Sequence, residues 1–189
     1  MRKTAVLAFG LGALLMSEPA QPSPPNRSLD EVRALFREAD ARGLVGKARK
    51  TKLVDARPAK PGEVIVTVIA GEGKETESKP AAKGDWVVRN RCEATGHEQY
   101  LVAAASFKER YQGAGKAAGR DGWQEHRPVG KVMLFFVLKP EHGEFTFTAP
   151  WGERTVAKPG DAIVQDPERP EDTYRVAAAS FACTYEVLE

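Results

Sequence analysis

Apolar and polar positions change places along this chain in short blocks, most of which read as strands. The first block past the N-terminal segment is helical. Ser28 followed three residues on by Glu31 has the spacing of a capping box, and Leu29, Val32, Leu35, Phe36 and Ala39 then share one helical face. Gly43 supplies the stop. Lys47, Arg49, Lys50 and Lys52 follow with no aromatic residue between them, so this basic cluster reads as a solvated link. Two β-rich apolar runs, 64–69 and 132–138, predict matching interior strands. Residues 144–148 alternate strictly before Pro150-Trp151-Gly152, which predicts an additional strand and turn in the second half alone.

The blocks repeat. Val102-Ala103-Ala104-Ala105-Ser106-Phe107 recurs unchanged as Val176-Ala177-Ala178-Ala179-Ser180-Phe181, and the agreement continues on both sides. Tyr100 matches Tyr174, Tyr111 matches Tyr185, and Gly84-Asp85 matches Gly160-Asp161. Each unit reads as an apolar strand, a polar hairpin, a Gly-Asp turn, a second strand, a variable loop, a strand at Tyr-x-Val and a closing helix. Phe107 and Tyr111, like Phe181 and Tyr185, are spaced to press two rings from one helix onto the sheet. The predicted fold is α+β: two strand-rich modules, each closed by a short helix, behind one N-terminal amphipathic helix. The expected boundaries are a signal peptide over 1–20, a Pro-rich linker over 21–27, helix and basic link over 28–52, modules over 53–112 and 128–189, and a flexible Gly-rich connector over 113–127. Modules this small favour packing together.

Lys83-Gly84-Asp85-Trp86-Val87-Val88, then Glu98-Gln99-Tyr100-Leu101-Val102 and Phe107-x-x-x-Tyr111, resemble the bacterial domain family named for its PGDYG motif. They are also similar to short phage proteins with a Gly-Asp-aromatic turn and a closing Phe-x-x-x-Tyr-Glu. The second unit carries Pro159-Gly160-Asp161 and Tyr185-Glu186. Lys83 stands for the motif's Pro in one unit, Ala162 for its aromatic in the other, and its last Gly is missing from both. The resemblance implies a fold unit and carries over no catalytic residue.

Composition narrows the class. In 189 residues, 28 Lys plus Arg nearly balance 26 Asp plus Glu, a net charge of +2 that sets up no strong field towards nucleic acid. Arg2 and Lys3 ahead of the uncharged run 4–16 have the layout of a secretory signal peptide, which predicts a periplasmic or secreted protein, or a cytoplasmic one if the leader is not a signal. The run is too short for a stable membrane anchor.

The loop bearing Arg89, Arg91, Cys92 and His97, together with Trp86 after its turn, holds the candidate ligand-binding residues. Cys92 and His97 are close enough in sequence for a nucleophile and its base, which makes this loop the place for an enzymatic alternative, although no glycine-framed nucleophile motif surrounds them. The two cysteines and three histidines lack zinc-site spacing, and no cofactor motif is present. Cys92 and Cys183 are the only thiols, open to a disulfide or to burial as free thiols. The remaining motif residues, Gly84, Asp85, Tyr100, Phe107, Tyr111, Gly160, Asp161, Tyr174, Phe181 and Tyr185, read as framework. The expected function is non-catalytic binding of a small molecule or protein, with recognition in the first unit and scaffold in the second.

Overall fold

The computed structural model describes residues 23–113, 115, 117 and 121–189, so the leader expected over 1–20 lies outside the described residues. Helix α1 (Leu29–Ala41) comes first, and strands β1 (Gly46–Lys50) and β2 (Val54–Pro58) follow. The hairpin β3 (Val66–Ile69) and β4 (Gly73–Glu77) leads to β5 (Trp86–Asn90), β6 (Gln99–Val102), α2 (Ala104–Arg110) and the short β7 (Tyr111–Gln112). Next are β8 (Gln124–Pro128), β9 (Val132–Val137) and the hairpin β10 (Phe145–Thr148) and β11 (Arg154–Ala157). The chain ends in β12 (Ala162–Gln165), β13 (Thr173–Val176), α3 (Ala178–Thr184) and β14 (Tyr185–Leu188). The molecule is α+β and strand-rich. Among the described residues no helix is long and apolar enough to cross a membrane.

Two five-stranded antiparallel sheets dominate, ordered β6-β5-β2-β8-β7 and β13-β12-β9-β1-β14. Their fourth strands cross over. β1 leaves its sequence neighbour β2 and inserts between β9 and β14, while β8 leaves β9 and inserts between β2 and β7. The links 51–53 and 129–131 carry the chain from one sheet to the other. Each is pinned to the end of a helix: Thr51 N–H donates to the Thr184 carbonyl at 3.1 Å and Val129 N–H to that of Arg110 at 2.9 Å.

The capping box closes at Ser28 and Glu31, and α1 buries Val32, Phe36 and Ala39 against Phe136, Leu138, Phe145 and Phe147. Phe36 meets Phe136 edge to face at 5.4 Å. Burying a ring of this size stabilises by about 1.5–3 kcal/mol.

Four expectations need correction. The basic cluster is strand β1, because Ala48 between its cations is wholly buried while Lys47 and Arg49 point outward. Run 64–69 is no interior strand: it contributes to a two-stranded hairpin with Val64, Val66 and Val68 exposed and Ile65, Thr67 and Ile69 buried. The strand holding β9's place in the other sheet is β2, whose polar face of Asp55 and Arg57 hid it. Strand β10 is therefore no extra, since each half has a hairpin. The connector expected over 113–127 ends in β8, a central strand.

Candidate functional site

Each Gly-Asp turn is built the same way. Gly84 and Gly160 both take φ of +96°, which glycine alone adopts freely. Asp85 then accepts from Ala82 N–H at 2.8 Å and from Ala104 N–H, the first amide of α2, at 3.1 Å. Asp161 accepts from Lys158 N–H at 2.9 Å, from Ala178 N–H at 3.0 Å and from Arg175 Nε at 2.7 Å. Ala103 and Ala177 precede the helices without a capping side chain, so these remote carboxylates do the capping. They are structural.

The helices fixed in this way aim aromatic rings inward. Phe107 stacks on Tyr111 at 5.1 Å and Phe181 on Tyr185 at 4.9 Å. The Tyr111 hydroxyl meets that of Tyr100 at 2.9 Å, and Tyr185 meets Tyr174 at 3.3 Å. All four tyrosines of the chain thereby line one cavity of about 590 Å³ between the two sheets. Burial, and next the neighbouring Tyr111 hydroxyl, push Tyr100 well above the ordinary tyrosine range; burial and Tyr174 do the same to Tyr185. Burial also raises Tyr174 against the lowering pull of Arg110. These phenols stay protonated and act as hydrogen-bond donors.

Lys50, at the end of β1, reaches into the same space. Its Nζ donates to Tyr100 Oη at 2.7 Å and to Asn90 Oδ1 at 2.9 Å, and lies 5.2 Å from the Tyr100 ring centroid. Val102, Val176, Met133 and the half-exposed Trp151, 5.7 Å from Tyr174, supply apolar lining. Behind Asn90, the buried Glu98 accepts from Asn90 Nδ2 and Ser180 Oγ, both at 2.7 Å, and from Thr95 Oγ1. A disulfide between Cys92 and Cys183, Cα atoms 6.1 Å apart, fastens the β5–β6 loop to α3. The site is thus crosslinked across the halves.

The five candidate residues lie elsewhere, and none of them lines this cavity. Trp86, partly buried, stacks face to face on Phe107 at 4.2 Å, packed against the first sheet's core. Arg89 and Arg91 share Asp55, each at 2.7 Å, and Arg91 also holds Glu125 at 2.8 Å. Burial works to raise the Asp55 carboxyl, but hydrogen bonds from both arginines outweigh it and hold the group below its ordinary range. Arg89 stacks on Trp123 at 4.4 Å. His97 is exposed, its Nδ1 3.3 Å from the Asn90 carbonyl oxygen. With its sulfur in the disulfide, Cys92 is no nucleophile for His97 to activate. Sequence reading missed Lys50, hidden in a cluster read as solvated, and took the tyrosines for framework alone. The equal spacing of Tyr100 to Tyr111 and Tyr174 to Tyr185 was the available signal. No family model, no curated protein and no solved structure matches the chain.

Proposed function

We propose that the protein is a non-catalytic binding module that takes a small amphipathic molecule into the cavity between its halves. The observation that carries this reading is the convergence of all four tyrosines and Lys50 on one space of about 590 Å³, a volume in the range of small-molecule sites. The fold reading behind it is an internal duplication in which each unit gives its first strand to the other's sheet. The two sheets' parallel strand orders and the repeated Tyr, Phe and Gly-Asp positions support it. The PGDYG-like motif is the unit duplicated. Export is part of the proposal, supported by the basic-then-apolar leader and by a disulfide, which persists in oxidising compartments.

The test is a thermal-shift screen against metabolites, metals and cell-wall fragments, run on wild type and on Val176→Trp, which fills the cavity from β13. A ligand at a hundredfold excess over its Kd contributes about 2.7 kcal/mol, or roughly 5–10 °C in Tm for a chain of this size. The expected result is a hit that Val176→Trp abolishes. A screen without hits, or hits untouched by the filling substitution, removes the proposal.

A further inference from the structure

The cavity wall carries five cations and seven carboxylates, and four of the cations are held in ion pairs. Arg110 holds Asp172 at 2.7 Å, Lys131 holds Asp166 at 2.8 Å, Arg169 holds Glu109 at 3.4 Å, and Arg175 holds Glu72 at 3.1 Å as well as Glu75. Lys50 alone among the described lining cations touches no carboxylate, since both its partners are neutral acceptors. An ammonium has three N–H donors, and two are used. The nearest acid through Asn90 is Glu98, whose charge already takes donors from Asn90, Thr95 and Ser180. Beside the Lys50 head stand the Tyr100 and Tyr111 hydroxyls, within hydrogen-bond distance of each other. A half-buried ammonium next to phenol donors is a receptor for one negative charge.

We infer that the cavity binds a monocarboxylate with a flat or aliphatic body, its acid on Lys50 and the Tyr100–Tyr111 pair and its body along Val102, Val176 and Trp151. This rests on reading the cavity as a binding site. Lys50 offers one ammonium without a direct carboxylate partner, which matches a single carboxylate; a phosphate monoester brings up to two negative charges to a wall whose carboxylates outnumber its cations, among them Glu153, a half-buried acid without a cationic partner among the described residues. Glu153 would instead attract an amine, so the two head groups are separable by experiment.

The probes are four naphthalenes of one ring size: 2-naphthoate, 2-naphthamide, 2-naphthylmethylamine and 2-naphthyl phosphate, titrated calorimetrically into wild type, Lys50→Met and Lys50→Arg. The expected outcome is that 2-naphthoate binds at least tenfold tighter than the amide. Lys50→Met should erase that preference while leaving amide affinity within about twofold, and Lys50→Arg should keep it. If Lys50→Met fails to fold, Tyr111→Phe in its place should weaken the acid more than the amide. Equal affinity for acid and amide, tighter binding of the amine or the phosphate, a preference that survives Lys50→Met, or no binding of any probe overturns the inference. The metabolite screen with Val176→Trp judges the cavity independently, so loss of the acid preference with a surviving cavity-dependent hit refutes the head group alone.

Discussion

Asp161 does more than its counterpart Asp85, because besides capping its helix it accepts from Arg175, a side chain only 2% exposed. Asp85→Ala should therefore cost about 1 kcal/mol, the usual loss of a helix cap. Asp161→Ala should cost roughly 2–4 kcal/mol, because it also leaves the buried Arg175 guanidinium one carboxylate short. Denaturant midpoints of the two variants measure the difference. Trp86 follows the same logic. The sequence alone offers it as a candidate ligand-binding residue, but a ring stacked at 4.2 Å on Phe107 is packing, and Trp86→Ala should cost about 2–4 kcal/mol. His126, 5% exposed and edge-on to both Trp86 and Phe107, has an Nε2 with no partner among the described residues, and burial lowers its pKa from 6.5. In the unfolded chain the ring protonates at its ordinary value, while the folded chain resists until lower pH. Stability should thus be full above about pH 7 and fall as the pH drops below about 6.5, and His126→Phe should remove that part of the slope in melts from pH 8 to 5.

Among elements, what was legible depended on side-chain size. The Phe-x-x-x-Tyr helices announce themselves through large rings at a fixed spacing, and the Gly-Asp turns through a residue pair with few alternatives. Strands β1 and β2 were hidden because the apolar residues they bury are small: Ala48 in one, Val54 and Ala56 in the other, between charged neighbours that form ion pairs on the opposite face. Small residues are required there. Gly46 in β1 faces the Phe135 ring, and a Cβ at this position would come within 2.9 Å of it. The cavity was illegible for another reason: its members come from β1, β6, β13 and the ends of α2 and α3, which only the crossover of strands brings together. Between these elements the disulfide spans 91 residues. Replacing both cysteines by serine should cost about 2–4 kcal/mol, and reduction of the wild type should lower Tm by a similar increment. Equal melting with and without reductant would show that the β5–β6 loop is held by Glu98 and Ser180 unaided.

For the whole molecule, strand crossover makes the two halves interdependent in a way that packing alone does not. Packed modules joined by a connector each keep a complete sheet when separated, whereas here residues 128–189 lack β1, the strand between β9 and β14, and also lack α1 over the Phe36–Phe136 contact. The fragment then exposes both sides of a gap in the middle of its sheet, along with Phe136 and Phe145, which are 2% and 0% exposed in the intact chain. Unpaired strand edges flanking bare rings are a route to association. Residues 128–189 alone should therefore show no cooperative monomeric melt. A longer fragment over 122–189 retains β8, which occupies in the first sheet the place that β1 takes in the second. Two such fragments offer each other that strand and should form a dimer with exchanged strands, its melting temperature rising with concentration. Light scattering after gel filtration gives the stoichiometry. A monomer of 122–189 that melts cooperatively at a concentration-independent temperature would mean that β8 can fold back beside its own β9, and the crossover would then be a convenience of the fused chain instead of a requirement of the unit.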